Sequence, residues 1–302
     1  MQIDSNGTTE HPSATKNPFQ PIPREEMEAF PCKVEEIHIE VEDELEVVLY
    51  LVIPDKLKLG SPVVVNYHGG GFVRGRADRD ELFCRRLATC LECVVVDVDY
   101  SLAPEHPFPT AVHQARAAAL WAKAHAGDWG CDPEKIILCG QSAGGNLVAN
   151  VCMEEAVDSA VKPLCAVIAY APMNLAEDPG QKPCPVQDES VERARQHNSA
   201  YCSQEQAKDP RVSPLFAEES ALMCFPPTLV ITAGNDRLAQ EGEVFAQRLI
   251  RAGATVLCKR YLDCPHGFLV NRRGAWREAT ELICTFLLQA SEDNRGAVSK
   301  IL

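Results

Sequence analysis

Short apolar runs alternate with amphipathic segments along most of the chain. Continuous apolar runs are typical of strands that are covered on both faces of a sheet. The predicted strands cover residues 62–67, 94–100, 135–139, 164–170, 228–233 and 255–261. The predicted helices between and after them cover residues 81–91, 110–129, 146–153, 240–252 and 275–289. Because strands and helices alternate, we expect an α/β fold with parallel strand pairing and right-handed crossovers.

The beginning of the chain has a different pattern. Residues 35–41 alternate apolar and acidic side chains, which is the period of a half-exposed strand. Residues 45–53 are predicted as the partner strand and residues 42–44 as the turn, so an antiparallel hairpin precedes the parallel sheet. We also predict a short helix over residues 24–30. Residues 1–20 are polar and contain prolines, which predicts a segment that is disordered or loosely draped over the protein.

Composition and charge narrow the class of protein. The 302 residues are 46% hydrophobic, which suits one large α/β core with an insertion. The formal net charge of −14 argues against a nucleic-acid partner, because the phosphates would be repelled. No apolar run approaches the roughly twenty residues that a membrane span needs. Residues 1–17 contain no hydrophobic signal region, so we expect a cytoplasmic protein.

The chain contains fourteen cysteines, many of them inside apolar runs, where a thiol behaves as a small hydrophobic side chain. In a cytoplasmic protein we expect them to be reduced. Cys90 and Cys93 have the spacing of a metal-ligand pair, but no second pair follows at a useful distance. We therefore expect no metal site, and we predict that this pair lies where a helix leads into the next strand.

A strand-to-helix turn around Ser142 is the strongest chemical signal in the sequence. The residues Gly-Gln-Ser-Ala-Gly-Gly at 140–145 follow a predicted buried strand and precede a predicted helix, which is the context of a nucleophile elbow. The glycines remove clashes that so tight a turn would cause. The turn would hold the Ser142 hydroxyl at the end of the sheet, where the helix N-terminus favours developing negative charge. The alternative is a glycine-rich turn of a phosphate-binding fold.

A second glycine cluster, His-Gly-Gly-Gly-Phe at 68–72, follows the predicted strand 62–67. Successive glycines let backbone N–H groups point into open space, and those of Gly69 and Gly70, together with Ala143, are candidates for an oxyanion hole. The alternative is a flexible loop, which the position ahead of the serine motif disfavours. We expect His68 to hold this loop by hydrogen bonding rather than to take part in the chemistry.

Residues 172–226 interrupt the alternation of strands and helices. They are rich in proline and charge, with one predicted helix over residues 188–206. The segment is too long for a loop of a compact domain and too poor in apolar residues for a core of its own, so we predict an insertion that covers the active site. The predicted division is an N-terminal tail and cap segment (1–34), a first part of the core (35–171), the cap insertion (172–226) and a second part of the core (227–302).

Four stretches of the chain, residues 68–72, 100–105, 140–145 and 209–215, resemble the hormone-sensitive-lipase-like family of α/β-hydrolase esterases. This family includes microbial carboxylesterases and arylacetamide deacetylases. The resemblance implies an α/β-hydrolase fold, in which a mostly parallel central sheet is flanked by helices and covered by a small cap. The sequence departs from the family at two positions, which are Gln141, where an Asp is usual, and Ser101, where an Arg is usual. Both departures remove a charge beside the elbow.

The chain order of this fold, serine then acid then histidine, selects the other members of a catalytic triad. Downstream of Ser142 the histidines are His197 and His266. His197 lies inside the predicted insertion, whereas His266 lies in a His-Gly-Phe context similar to that of the family, so we favour His266. Asp236 follows the predicted strand 228–233 and matches the acid of the family.

Two other acidic residues are alternatives to Asp236. Asp263 is only three residues from His266 and lies on the approach to it from the last predicted strand. Glu241 is predicted to be helical and too far along the chain. Asp236 is therefore the preferred acid.

The activity that the resemblance implies is ester hydrolysis through an acyl-enzyme. His266 would take the proton of Ser142, Asp236 would orient His266, and the backbone donors would bind the oxyanion. No metal or organic cofactor is needed. An amidase or deacetylase would use the same triad. A non-catalytic receptor of the gibberellin-receptor type would have lost the histidine, so the presence of His266 counts against it.

The expected partner is a small-molecule ester with a short, uncharged acyl group, and a homodimer is left open. Between residues 176 and 220 nine acidic side chains outnumber five basic ones, so this part of the predicted cap has a net charge near −4. A negative cap is expected to slow the approach of anionic substrates. The apolar residues of the insertion are few and scattered, which fits a small pocket better than a long acyl channel.

Overall fold

The computed structural model describes residues 22–41, 45–186 and 191–293. Within these ranges the strands are β1 (Cys32–Val41), β2 (Leu45–Pro54), β3 (Val63–Tyr67), β4 (Val94–Asp99), β5 (Ile136–Gln141), β6 (Cys165–Ala169), β7 (Thr228–Asn235) and β8 (Val256–Pro265). The α-helices are α1 (Arg24–Glu28), α2 (Asp78–Leu91), α3 (Thr110–His125), α4 (Ala143–Asp158), α5 (Val191–Tyr201), α6 (Glu219–Leu222), α7 (Ala239–Arg251) and α8 (Trp276–Asp293). The predicted disordered segment 1–20 and the predicted turn 42–44 lie outside the described residues.

All eight strands form one sheet in the order β1-β2-β4-β3-β5-β6-β7-β8. β1 and β2 form the predicted antiparallel hairpin, and β2 joins the sheet by antiparallel pairing with β4. Every other pair, from β4 through β3 to β8, is parallel. The prediction of an α/β fold with a mostly parallel sheet is therefore confirmed.

Helices cover both faces of the sheet, which explains why the central strands are continuously apolar. Every residue of β3, β5 and β6 is buried. One core cluster contains apolar residues of α3, α4 and α7, and a second cluster contains apolar residues of α2 and α8. α3 presents small alanine side chains to the sheet, including Ala115, whose carbonyl accepts a 2.7 Å hydrogen bond from the Tyr67 hydroxyl. Small side chains allow this close approach of helix and strand.

The last two strands are longer than the sequence predicts. β7 continues to Asn235 and β8 to Pro265, with a register shift between Ala233 and Asn235. A Cβ atom at Gly234 would overlap the backbone of Leu262, so the glycine permits this irregular pairing. Because polar residues occur at the C-terminal ends of both strands, the apolar pattern did not predict the extension. As a consequence, β7 and β8 end side by side, directly before the candidate acid and the candidate histidine.

The segment between β6 and β7 packs against the main core. Met173, Tyr201, Val212 and Phe225 are buried in the same cluster as the helices of one sheet face. The helix that the sequence predicts over residues 188–206 ends at Tyr201 in the structure, and residues 187–190 lie outside the described ranges. The scattered apolar residues of this segment are therefore mostly used in packing. The division of the chain into a core and a cap stays a prediction.

Ionic contacts also attach this segment and the N-terminal helix α1 to the rest of the protein. Lys182 and Glu241 form an ion pair whose side chains are only 4% and 6% exposed, and the Met173 N–H donates to the same carboxylate at 2.7 Å. Glu26 of α1 accepts hydrogen bonds from Arg86 and Arg272.

Among the described residues, no helix is long and apolar enough to cross a membrane.

Candidate active site

Ser142 lies at the junction of β5 and α4 in a strained backbone conformation. Its φ of 53° and ψ of −121° are rare for a residue with a side chain. The Ser142 N–H donates to the Ala169 carbonyl at 2.9 Å, which ties the turn to β6. A Cβ atom at Gly140 would overlap Gly144, and one at Gly144 would overlap the Tyr67 carbonyl. The predicted need for glycines around the serine thus has a direct steric cause.

The structure brings Ser142, His266 and Asp236 together in one hydrogen-bonded chain. His266 Nε2 lies 2.9 Å from Ser142 Oγ, and His266 Nδ1 lies 2.7 Å from Asp236 Oδ2. Asp236 is 4% exposed and also accepts a hydrogen bond from the Leu238 N–H, whereas the His266 side chain is 43% exposed. A carboxylate on Nδ1 leaves Nε2 free to accept the serine proton. These distances are those that a nucleophile, a base and an orienting acid require.

The alternative residues from the sequence lie elsewhere. Asp263 is exposed on β8, and Glu241 is held by Lys182. His197 lies on α5 against the glycine loop, which we define as residues 69–71: a Cβ atom at Gly71 would overlap its imidazole. Burial lowers the pKa of His197 to about 4, with Arg74 and Arg193 acting in the same direction.

The glycine loop approaches the elbow closely. A Cβ atom at Gly69 would lie 3.2 Å from the Ser142 Cβ, and Gly70 and Gly71 have φ angles of 150° and 63°. These angles favour glycine. Within the described ranges the N–H groups of Gly69, Gly70 and Ala143 have no hydrogen-bond acceptor. The three expected oxyanion donors are therefore available to a bound ligand.

His68 supports this loop from inside the protein. It is fully buried, stacks on Tyr100 with ring centroids 4.3 Å apart, and its Nδ1 lies 2.9 Å from the Gly69 carbonyl. Its Nε2 is 3.4 Å from Asp99 Oδ1. Burial by itself lowers the pKa of His68, but the Asp99 carboxylate and neighbouring acids outweigh burial, and the pKa is raised. These contacts suit the holding role that the sequence suggested.

Gln141, the first departure from the family pattern, belongs to a buried polar network under the elbow. Gln141 Nε2 donates to Asn66 Oδ1 at 3.0 Å, and Asn66 Nδ2 donates to Asp97 Oδ1 at 2.7 Å. Arg76 Nε donates to the second Asp97 oxygen at 2.6 Å and lies 4.0 Å from the centroid of the Tyr50 ring. The sequence analysis missed these partners. The available signal was a polar residue in each of two apolar strands, which the register pairs as Asn66 with Asp97.

Ser101, the second departure, joins a neutral network. Its N–H donates to Gln114 Oε1 at 2.7 Å, and Gln114 Nε2 donates to Ser101 Oγ at 2.8 Å and to the Glu46 carbonyl at 2.9 Å. Gln114 is fully buried on α3. A neutral amide therefore connects the segment after β4 with α3 and β2.

Tyr170 is a further residue at the site that the sequence analysis missed. It follows β6 with a φ of 39°, and its ring meets the His266 ring edge-on at a centroid distance of 5.3 Å. The centroid of the Phe268 ring lies 5.7 Å from that of Tyr170. A bulky residue at positive φ is a strained feature of the kind that clusters at functional sites. No sequence pattern indicated it, because the contact joins two distant segments.

No metal centre accompanies this site in the part of the chain that the structure describes, where no group of three potential ligands is close enough to hold an ion. Cys90 is exposed near the end of α2 and Cys93 is buried just before β4, which is the predicted position for the pair.

Comparisons with known proteins find similar chains. A family described as alpha/beta hydrolase fold matches residues 64–270. An arylesterase of Saccharolobus solfataricus is 33% identical over 265 residues, which cover 83% of this chain and 82% of that protein. The carboxylesterase NlhH of Mycobacterium tuberculosis is 32% identical over 223 residues, which cover 72% of this chain and 69% of that protein. The structure of a hyperthermophilic esterase of Pyrobaculum calidifontis superposes with a TM-score of 0.79 at 33% identity, covering 87% of this chain and 88% of that chain.

Proposed function

The chain belongs to the α/β hydrolase fold family, within its hormone-sensitive-lipase-like esterases, and we propose that it is a serine carboxylesterase with Ser142, Asp236 and His266 as its catalytic triad. The observation that carries the assignment is the continuous hydrogen-bonded chain from Ser142 Oγ through His266 to Asp236, at 2.9 and 2.7 Å. The names of the similar proteins, which are esterases, support the same reaction class.

In the proposed mechanism Ser142 Oγ attacks the ester carbonyl while His266 Nε2 accepts the hydroxyl proton. The carbonyl oxygen becomes an oxyanion, which the N–H groups of Gly69, Gly70 and Ala143 bind. Ala143 is the first residue of α4, so the positive end of the helix dipole adds to this stabilisation. His266 then gives its proton to the leaving alcohol, and an acyl-enzyme remains. A water molecule, deprotonated by His266, releases the acid by the same steps in reverse.

Asp236 and His266 differ in burial, and the difference fits their different roles in the proposed mechanism. Asp236, which is almost fully buried, holds the proton on His266 Nδ1 and stabilises the imidazolium that forms during attack. His266 is partly exposed, so the leaving alcohol and the incoming water can both reach Nε2. The packing of Tyr170 against the imidazole restricts its rotation.

We propose a short, uncharged acyl group as the substrate's acid portion. Of the apolar residues between β6 and β7, Met173, Leu175, Tyr201 and Phe225 are buried in the core and are therefore not available to line a long channel. An activated amide would pass through the same tetrahedral intermediate, so amidase or deacetylase activity is the second candidate. The hydrogen bond between Ser142 and His266, which a receptor without hydrolytic activity does not need, supports an esterase.

A cytoplasmic location is part of the proposal. All fourteen cysteines lie in the described ranges and all are free. Unpaired thiols in this number suit a reducing compartment.

Covalent labelling tests the proposed nucleophile directly. A fluorophosphonate probe is expected to label the full-length protein once, at Ser142, because the activated hydroxyl attacks phosphorus as it attacks an ester carbonyl. Peptide mass spectrometry identifies the labelled residue. Labelling should disappear in Ser142→Ala and persist in Ser199→Ala, which changes an exposed serine of α5. Unchanged labelling of Ser142→Ala would overturn the assignment.

A further inference from the structure

An arginine follows the glycine loop directly. The Arg74 N–H donates to the Gly70 carbonyl at 3.1 Å, which closes a turn. A Cβ atom at Gly70 would lie 3.0 Å from the Arg74 Cβ, so the arginine side chain starts beside the loop itself. Gly69, in the same loop, lies against Ser142. A ligand bound at Ser142 would therefore face this loop.

A second arginine lies on the helix that covers the loop. Arg193 stands one helical turn before His197 on α5, and residues four apart share a helix face. His197 in turn lies directly over Gly71. The face of α5 that contains Arg193 and His197 is therefore turned toward the glycine loop and Arg74.

The charges of these residues are close enough to affect one another. Burial lowers the pKa of Arg74, and the positive charges of Arg193 and Arg79 lower it further. Burial is also the largest cause that lowers the pKa of His197, followed by the positive charges of Arg74 and Arg193. No carboxylate of the described residues contributes to either shift. His197, which lies over Gly71, is thus close enough to Arg74 and Arg193 for both positive charges to act on it.

Neither Arg74 nor Arg193 has an ion pair or a side-chain hydrogen bond within the described residues. The contrast with Arg195, two positions along α5, is direct. Arg195 binds both oxygens of Asp178 at 2.8 Å and also pairs with Glu192. Among the described residues, Asp178 and Glu192 are therefore used by Arg195, while the two arginines that face the glycine loop have no acidic partner there.

A third arginine, Arg79, connects the surroundings of Arg74 with the turn that follows His266. Arg79, which contributes to the positive surroundings of Arg74, donates to Asn271 Oδ1 at 3.2 Å. The Asn271 N–H donates to the Gly267 carbonyl, so Asn271 belongs to the turn that follows His266. In ester hydrolysis the histidine protonates the leaving alcohol. Because Arg79 is near both Arg74 and the turn after His266, we assign these positive groups to the side of the leaving alcohol.

We propose that Arg74 and Arg193 form a subsite for an anionic group, a carboxylate or a phosphate, on the alcohol portion of the substrate. The inference rests on the proposed esterase function and adds a substrate class to it. A guanidinium group presents paired N–H donors that match either oxyanion, and two such groups from different elements can bind it from two sides. The acyl group is not involved and remains short and uncharged.

The net charge of −14 does not oppose this subsite. At physiological ionic strength the Debye length is about 8 Å, so distant carboxylates are screened while two adjacent guanidinium groups act at contact distance. Between residues 176 and 220, Asp178, Glu192 and Asp209 pair with arginines of the same segment, and the net charge of −4 that remains there is screened in the same way.

Matched acetate esters of substituted phenols test the subsite. 4-Acetoxybenzoate and 4-acetoxyphenyl phosphate carry the anion on the alcohol side, 4-acetoxybenzamide is neutral, and 4-acetoxybenzyltrimethylammonium is cationic. We expect kcat/KM to be about tenfold higher for at least one anionic ester than for the neutral ester, and lowest for the cationic ester. Added salt should reduce these differences in kcat/KM.

Arg74→Gln and Arg193→Gln should each reduce the anionic-to-neutral ratio of kcat/KM by at least about threefold, mainly through KM of the anionic ester. Arg195→Gln, on the same helix, removes an equal charge and should leave the ratio unchanged. If Arg195→Gln reduces the ratio as much, a general field acts and the subsite is refuted. If the wild-type protein hydrolyses the neutral ester with no preference for either anion, the subsite fails while the esterase proposal stands. If it hydrolyses none of the esters, both proposals fail.

Discussion

The imidazole Nε2 of His266 lies 2.9 Å from the Oγ of Ser142, although the two residues are 124 positions apart in the chain. The contact exists because β5 and β8, like β7 between them in the sheet, run parallel and end at the same edge. Ser142 follows β5, Asp236 follows β7 and His266 follows β8. The alignment of strand ends therefore explains how a serine, an acid and a histidine from distant segments share one site.

Ser142→Ala is predicted to abolish turnover. The substitution removes the attacking oxygen and leaves the backbone and the packing of the elbow unchanged. We expect kcat/KM for p-nitrophenyl acetate to fall by about 10⁴-fold or more, as for other triad nucleophiles, with no change in the far-ultraviolet circular dichroism spectrum. Residual activity within tenfold of the parent would show that another group attacks the ester.

The order of strands and helices could be predicted from the sequence because buried strands are continuous apolar runs bounded by turn residues. The elbow and the glycine loop could be found because tight backbone approach requires glycine, which a sequence displays directly. The strands, the elbow and the glycine loop have local causes, and a local cause leaves a local signal. Asp236 and His266 were instead predicted from the chain order of the fold and from their match to the family that the sequence resembles.

The features that the sequence did not predict depend on contacts between distant segments. The β7 and β8 extension requires Gly234 to pass close to Leu262, and the polar residues there hide it. Tyr170 is recognisable as a support for His266 only when both strand ends are placed. The position of His197 over Gly71 depends on how α5 folds back on the core. For such contacts a single sequence contains no periodicity to detect.

His266→Ala should lose almost as much activity as Ser142→Ala, because the serine then has no base. In the wild type, kcat/KM should decrease as the pH falls through about 6 to 7, where histidines commonly gain a proton and can no longer accept one. Steady-state kinetics from pH 4.5 to 9 measure this. His125→Ala is the matched control, since His125 pairs with Asp128 at the far end of α3. A profile that is flat down to pH 4.5 would contradict the role of His266.

Asp80 should make the pH dependence of stability measurable. Burial raises its pKa from 3.8 to about 6, although His68, Arg79 and the Ala77 N–H partly counteract the burial. The folded protein thus binds this proton more tightly than the unfolded chain does, so Asp80 lowers stability as the pH rises from about 4 to 6.

Asp80→Asn removes this dependence and keeps an oxygen that can accept from Ala77. The free energy of unfolding, measured with urea at pH 4 and at pH 7, gives the test. The difference between the variant and the wild type should shift by up to about 3 kcal/mol in favour of the variant from pH 4 to pH 7. Asp78→Asn changes an exposed carboxylate in the same helical turn and should differ from the wild type equally at both pH values. A gain for Asp80→Asn that is the same at both pH values would contradict the raised pKa.

Gly71→Ala should impair catalysis because the added methyl group overlaps the His197 imidazole and sits on a backbone with a φ of 63°. We expect kcat for p-nitrophenyl acetate to fall by about tenfold or more as the oxyanion donors shift. The double variant Gly71→Ala, His197→Ala opens the space again and should recover part of the loss, with the backbone strain remaining. If the double variant is no better than Gly71→Ala, the contact with α5 is not what requires the glycine.

The proposed short acyl group can be tested by measuring how activity depends on the length of the acyl chain. Phe72, which follows the glycine loop, stacks on Tyr201 of α5 with ring centroids 3.7 Å apart, and Phe108 meets Tyr201 edge-on at 6.1 Å. In the proposed short acyl pocket, we expect this aromatic group to occupy the space that a long chain would need. The p-nitrophenyl acetate and butyrate esters should therefore have higher kcat/KM values than the dodecanoate, assayed below its critical micelle concentration.

Tyr201→Leu should shift that preference, because it shortens the side chain at the centre of the aromatic group while keeping the position apolar. The measured quantity is the dodecanoate-to-butyrate ratio of kcat/KM, which does not depend on how much of the variant is folded. We expect the ratio to rise by at least about fivefold, since each buried methylene contributes about 0.8 kcal/mol. Phe216→Leu is the control, because Phe216 is 41% exposed and lies outside the buried core. A wild-type protein that prefers dodecanoate would refute the short acyl pocket, whatever the variants do.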